Sequence, residues 1–522
     1  MLRNLLTVGG WTMLSRVLGL IRDQLLAAFL GAGAVQDAYQ VAFRLPNMFR
    51  RLFGEGAFNA AFVPMFTAKY ETEGKASALR FAGQALSSLI AWLVILTVLG
   101  EIFMPFVIRI IGSGFTHKAN DTFEIAVSLT RITFPYMVLI CAAALVSGML
   151  NGLHRFSAAA AAYVTFNIVG IIAVLCGALI WHQTAVASAW GITISGFVQL
   201  GALLWAAKRA GIAPHFVRPT FSKDMHRLLR RMGPGLVGSG VTQLNLTVDT
   251  VISTYLPQGS VSWLYFADRV NQLPLGVLGA AAGTTLLPLL TRHAANNDRD
   301  NMQASLNRAT NYALLLTLPA ALGLLALAPA IMSALFGYGH FTPMDVWHSS
   351  QSLRAYAVGL PAFVLIKVLS PGFFAEGDTA TPVKIGFVTL ALNLGLNLLL
   401  YRQLAHVGPP LASAIAAIVN VLILAAILYR RGVFLPDQAM LGRALRITAA
   451  SIMMALWVAA AQHLVAPDII FWHGLWRVLM LGGLITFGAL VYGVTLDALG
   501  VVRIRDVASA FQARLNRRRK NI

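Results

Sequence analysis

The chain has 522 residues, 57% hydrophobic and only 11% charged, with a formal net charge of +20 and a mean hydropathy of +0.71. A soluble protein of this length carries about twice that fraction of charge, and apolar runs of roughly 20 residues, each able to cross a bilayer core of about 30 Å as a helix, recur throughout. The composition excludes a soluble protein and indicates an all-α integral membrane protein, and no RNA- or DNA-binding module is visible to account for the positive charge.

Apolar windows between polar breaks predict about fourteen helices. The first, 5–30, carries Arg16, Arg22 and Asp23 within its apolar stretch and reads as a retained membrane helix, not a cleaved signal. The second, 35–66, holds Asp37, Arg44, Arg50, Arg51 and Glu55 and is interrupted by Pro46 and by "GEG" at Gly54–Gly56. Helices at 78–111, 122–152, 158–181 and 184–207 complete a first set of six. Cys141 and Cys176 fall in these apolar runs, where packing is expected and not a disulfide, a zinc site or a thiol nucleophile. A basic linker, 211–227, leads to helices at 228–256, 260–291, 307–337, 349–374, 380–401 and 408–429. The eighth helix carries Asp268 and Arg269, and the tenth carries Lys367. Helices at 443–464 and 473–497 and a basic tail, 501–522, close the chain.

Connections after even-numbered helices hold "KYETEGK", "HRF", "KRAGIAPHFVRPTFSKDMHRLLRR", "RHAANNDRD", "EGDTATPVK" and "YRRGVF". Those after odd-numbered helices are nearly free of Lys and Arg, with Arg109, Lys118 and Arg402 the main exceptions. The positive-inside rule then places both termini in the cytoplasm, so the basic excess is mostly a topology signal. Anionic lipid is a further partner for the tail.

The chain matches itself at an offset of about 226 residues. Asp23 aligns with Asp249, Gly33 with Gly259, Tyr39 with Tyr265, and Asn167 with Asn393. "FPYMVLI" around Pro135 aligns with "LPAFVLI" around Pro361. Six helices per copy is an even number, so the two copies share one orientation, related by an axis along the membrane normal. This gives an N-lobe (1–210), the linker (211–227), a C-lobe (228–432) and a two-helix addition (433–500) ahead of the tail. Parallel repeats are a transporter signature, with the substrate site between halves that rock, although enzymes and channels also contain repeats.

Ionised side chains at membrane depth cost at least about 2.5–3.5 kcal/mol each and persist beside an aqueous cavity or a partner. Those of helices one, two and eight are expected on inner faces, forming a basic chamber with a few carboxylates. Arg suits such a chamber because its planar fork grips phosphate or carboxylate by two parallel hydrogen bonds. Alternatives are snorkelling of Arg50, Arg51 and Lys69 to headgroups and simple pairing of Asp23 and Asp268 with the adjacent Arg. Helical phase puts Asp37, Arg44, Arg51 and Glu55 on one face and turns Arg50 away, but Pro46 interrupts that phase. Asp249 and Asp378 suit pairing or helix capping better than cation coupling. There is no HExxH, GxSxG or Walker loop, so no enzyme activity, cofactor or metal is expected.

The stretches "SRVLGLIRDQLLAAFLGAG", "DAYQVAFRLPNMFRRLFGEGAFNAAFVPMF", "GSVSWLYFADRVNQLPLGVLG" and "KVLSPGFFAEGDTATPVK" resemble the MurJ (MviN) family of the MOP exporter superfamily over nearly the whole chain. The resemblance implies a bacterial inner-membrane flippase that moves lipid II, the undecaprenyl-pyrophosphate-linked peptidoglycan precursor, to the periplasmic leaflet by alternating access. It places substrate-binding residues at Arg16, Arg22, Asp37, Arg50, Glu55, Asp268 and Arg269, favouring Arg50 over Arg51 against the helical phase. Asp23, Arg44, Arg51 and Lys367 are additional candidates. Gln272 stands where relatives carry an acid. The two-helix addition is the expected groove for the isoprenoid tail. A monomer is expected, with membrane lipid and proteins of cell-wall synthesis as candidate partners and no nucleic acid. The alternatives are another MOP exporter, for a polysaccharide-lipid or a cationic drug, and a membrane glycosyltransferase, which would need an external carboxylate such as Asp345 or Asp468.

Overall fold

Seventeen α-helices and no strands make up the described residues of the computed structural model, namely 2–52, 57–118, 121–219, 222–296, 298–472 and 474–503. They are α1 (Leu2–Leu30), α2 (Ala34–Arg50), α3 (Ala57–Thr72), α4 (Lys75–Ile102), α5 (Met104–Ile111), α6 (Thr122–Thr133), α7 (Tyr136–Gly152), α8 (Phe156–Leu179) and α9 (Thr184–Arg209). After the linker come α10 (Lys223–Thr254), α11 (Ser260–Ala295), α12 (Arg299–Phe336), α13 (Pro343–Ala375), α14 (Ala380–Leu404), α15 (Gly408–Arg430), α16 (Gln438–Val465) and α17 (Leu475–Ala498). Nine segments among the described residues are long and apolar enough to cross a membrane. Outward residues such as Trp92, Leu464 and Trp476 stay exposed, which carries no penalty against lipid.

Helix starts follow local chemistry. Ser222, Asp298 and Asp437 cap α10, α12 and α16 by accepting the N–H three residues on. Thr342 and Asp345 form a reciprocal capping box on α13, with Pro343 at its first position. Two predicted helices are broken: 78–111 divides at Phe103 ahead of Pro105, and 122–152 divides at Phe134–Pro135. A proline supplies no N–H to the preceding turn, which explains both breaks. Within the 35–66 run, residues 53–56 lie outside the described residues.

The chain forms two compact units. Unit 1 comprises residues 1–262 with 338–341. Its core is a run of rings, Phe58, Phe62, Phe66 and Phe81, with neighbouring centroids 5.3–5.8 Å apart. Helix α8 packs on α1, where the Asn167 side-chain amide donates to the Ser15 carbonyl at 2.9 Å. Helix α10, first of the second set by sequence, packs in this unit. Gly114 donates its N–H to Thr254 Oγ1 at 3.0 Å, and a Cβ there would lie 2.2 Å from the Thr254 backbone. Lys69 holds Asp224 of α10 at 3.0 Å. The 338–341 segment closes on the end of α1: His340 N–H donates to the Ala28 carbonyl at 2.8 Å. Gly339 is required beside it, since its φ is +57° and a Cβ would meet that carbonyl at 2.2 Å.

Unit 2 holds 263–337 and 342–522. Helix α12 packs on α13 and α16, and α13 on α15, around Leu290, Leu306, Phe373 and Leu428. Helix α17 is tied in by Arg477, which is buried and donates to the Gly337 carbonyl at the end of α12 at 2.6 Å. Tyr492 donates to the Leu315 carbonyl at 2.7 Å. The Trp263 indole N–H donates to Asp345 Oδ1 at 2.8 Å and its ring stacks on His348.

Candidate functional site

Helices α1 and α2 of unit 1 carry most of the charges expected at a site. Arg16 is half-buried on α1 and forms no ion pair among the described residues. One and a half turns on, Arg22 is 8% exposed and its neighbour Asp23 fully buried. Adjacent residues on a helix ordinarily diverge, yet Arg22 folds back so that Nη2 and Nε reach Asp23 Oδ1 at 2.8 and 3.2 Å. The guanidinium carbon also lies 5.1 Å from the centre of the Phe166 ring, a cation–π contact strengthened by desolvation. Arg22, Tyr39, Phe166, Gly170 and Ser188 line a small cavity. Gly170 admits the arginine stem, because a Cβ at that position would lie 2.8 Å from Arg22 Cδ.

On α2, Arg50 is half-buried and donates from Nε to Asn47 Oδ1 at 3.2 Å. Arg22 and Arg50 both lie within electrostatic reach of the buried Tyr136 hydroxyl on α7. Arg51 is half-buried beside Arg50. Arg44 donates to the Leu246 carbonyl of α10, so its guanidinium ties two helices of unit 1 together. Asp37, in the first turn of α2, is almost fully buried. Its Oδ2 accepts the Gly259 N–H at 2.7 Å, while Oδ1 accepts the Ser262 N–H at 2.9 Å and the Ser262 hydroxyl at 2.6 Å. That carboxylate caps the start of α11 and complements the positive end of its dipole. Glu55 lies outside the described residues. Lys69 pairs with both Glu73 and Asp224.

In unit 2, Asp268 and Arg269 are both half-buried on α11. Gln272, one turn on, donates its amide to Asp268 Oδ2 and orients that carboxylate. Lys367 is on the exposed face of α13. Asp378 caps the turn into α14: Oδ1 accepts the Thr381 N–H at 2.9 Å and Oδ2 accepts Arg431 Nη2 at 2.7 Å. The Thr381 bonds, reinforced by Arg431, pull its carboxyl down to about 2.

Sequence reasoning therefore located the charges but not what holds them. Phe166, Gly170, Asn47 and Tyr136 were not singled out as site residues. Only Asn47 sits close enough in sequence, three residues before Arg50 on one helical face, to have been found by spacing. Among the described residues no cluster of His, Cys, Asp and Glu could hold a metal ion.

Residues 26–479 match the family model described as lipid II flippase MurJ. A protein of Rhizobium meliloti (strain 1021) named "Probable lipid II flippase MurJ" is 42% identical over 474 residues, covering 90% of this chain and 88% of that protein. The solved structure "Lipid II flippase MurJ, inward closed conformation" superposes with a TM-score of 0.79 at 26% identity, over 96% of this chain and 99% of its own. An inward-facing multidrug resistance MATE transporter of the MOP superfamily shares the fold, with a TM-score of 0.71 at 14% identity over 80% of this chain and 94% of its own.

Proposed function

The chain belongs to the lipid II flippase MurJ family, and from that premise we propose that it carries lipid II from the cytoplasmic to the periplasmic leaflet of the bacterial inner membrane. It is a transporter and not an enzyme. The observation that carries the reading beyond kinship is Arg22: a guanidinium held deep among apolar helices by an ion pair and an aromatic face. A charged group at such depth is by default a functional-site residue even when it is paired, and the guanidinium fork matches a pyrophosphate.

The substrate-binding residues we propose are Arg16, Arg22 and Arg50 within unit 1 and, taken separately, Arg269 within unit 2; each would engage pyrophosphate or peptide carboxylate during an alternating-access cycle. Asp23, Asp37 and Asp268 orient and partly neutralise the charge around these arginines; Glu55 adds a further carboxylate, and Arg44, Arg51 and Lys367 further cations. The chain crosses the bilayer fourteen times, with α2 and α3, α4 and α5, and α6 and α7 each sharing one crossing. Both termini are cytoplasmic. The two sets of six crossings, with lobe limits at 210 and 228–432, are parallel repeats. Helices α16 and α17 form the tail groove, a reading supported by their exposed Leu445, Leu456, Trp457 and Leu490. The protein acts as a monomer, and proteins of cell-wall synthesis are candidate partners.

The test is translocation of fluorescent lipid II in proteoliposomes, comparing the native protein with Arg22→Ala and Arg269→Ala. Native activity lost in both folded variants is expected. Transport of a cationic drug, with lipid II left in its starting leaflet, would reassign the protein to the antiporter branch of the superfamily.

A further inference from the structure

The segment 208–231 carries seven Lys and Arg residues and one acid, Asp224. That acid is occupied by Lys69, so the outward charge of the segment is uniformly positive. The segment is also pinned. Ile212, Met225, Leu228 and Met232 are buried in the core of unit 1. Val217 N–H donates to Ser87 Oγ at 3.1 Å, and Ser222 Oγ donates to Gln84 Oε1 at 3.3 Å. The backbone at His215 presses so closely on α4 that a Cβ at Gly83 would lie 2.3 Å from its carbonyl oxygen.

What this docking leaves outside is unusual for a polar connection. Phe216 is 70% exposed and Leu229 47%, among the exposed cations Lys223, Arg227, Arg230 and Arg231. The depth of the segment can be read from its neighbours. Helix α9 is long and apolar enough to span and ends at Arg209, whose guanidinium stacks 4.2 Å over exposed Trp205. The linker meets α4 at Gly83–Ser87, where "KASALRFAGQ" gives way to the apolar "LIAWLVILTVL". Both place it where the hydrocarbon core meets the headgroups, the level at which Trp concentrates. A basic loop that only sets topology has no need to be held rigidly or to present a phenylalanine outward.

We propose that the docked linker is a binding surface for anionic phospholipid headgroups, with Arg227, Arg230 and Arg231 on the phosphates and Phe216 and Leu229 inserted among the acyl chains. Basic clusters with apolar insertions bind anionic bilayers by these two terms together. The surface lies wholly within unit 1 and does not depend on which substrate is transported.

The test is hydrogen exchange of the full-length protein in phosphatidylcholine vesicles with and without about 30% phosphatidylglycerol, a fraction that gives a strongly negative surface. Amides of 215–219 and 222–231 are expected to exchange roughly fivefold or more slowly with phosphatidylglycerol, and the effect should vanish near 1 M salt, where screening is short-ranged. Replacing Arg227, Arg230 and Arg231 together by Gln removes the protection, whereas replacing all three by Lys retains it. If the Gln variant does not fold, the salt dependence of the native protein and the Lys variant decide the matter. Equal exchange in both vesicles would overturn the proposal and leave the charges a topology signal. Equal protection by soluble pyrophosphate in phosphatidylcholine vesicles would overturn it in favour of a free-phosphate site.

Discussion

Arg22 owes its position to one neighbour on its own helix and two residues of α8. Asp23 supplies the counter-ion, Phe166 a π face, and Gly170 the space for the side-chain stem. A valine at 170 would push that stem aside, and overpacking of this kind costs about 1–3 kcal/mol. Gly170→Val is therefore expected to lower lipid II translocation about tenfold or more, with Gly170→Ala between it and the native protein. Native rates in a folded Gly170→Val protein would show that the position of Arg22 is not critical. At this scale the sequence was informative wherever an ionised residue interrupted an apolar run, because expense alone makes such residues conspicuous. It was silent on Phe166 and Gly170, which look like any other members of an apolar helix and meet Arg22 only through tertiary packing. Asp37 falls between these cases. Its charge was visible, but its partners, the N–H groups of Gly259 and Ser262, lie more than 200 residues away.

Among the elements, the apolar runs were legible and the breaks within them only partly so. Pro135 and Pro361 occupy matching positions in the two copies of the sequence pattern, yet the chain breaks into α6 and α7 at the first and α13 continues through the second. A proline removes one hydrogen bond and crowds the preceding turn, and surrounding helices decide whether that is absorbed or becomes an end. The turn between α13 and α14 is set differently, by Asp378 bonded to Thr381 and Arg431. Its carboxyl titrates near 2, below the usual value of about 3.9. A lowered value means the bonds stabilise the turn fully above about pH 4 and are lost as pH falls toward 2. Hydrogen exchange at 377–381 should thus be protected equally at pH 8 and 5 and deprotected between about 4 and 2, with Asp378→Asn abolishing the acid step. Protection already failing between pH 7 and 5 would show that another group holds the turn.

For the molecule as a whole, composition was sufficient to establish a polytopic helical protein, since no arrangement of 11% charge could keep so much apolar surface in water. The packing partition was harder to read, because α10 and the 338–341 segment join unit 1 by contacts that a linear pattern does not display. If lipid II leaves the cytoplasmic leaflet with its phosphates ionised, each net negative charge moved outward gains about 2.3 kcal/mol per 100 mV of inside-negative potential. Imposing that potential on proteoliposomes should shift the leaflet distribution by up to about fiftyfold per charge. An unchanged distribution would mean that the headgroup crosses electrically neutral. The 338–341 segment also sets a timetable. Unit 1 needs His340 and Gly339 against Ala28, but these residues leave the ribosome only after α11 and α12, roughly 75 residues beyond the rest of the unit. At about 5–20 residues per second that delay is on the order of 4–15 s. During that interval the end of α1 is without this contact, so unit 1 cannot close fully until α11 and α12 have been made.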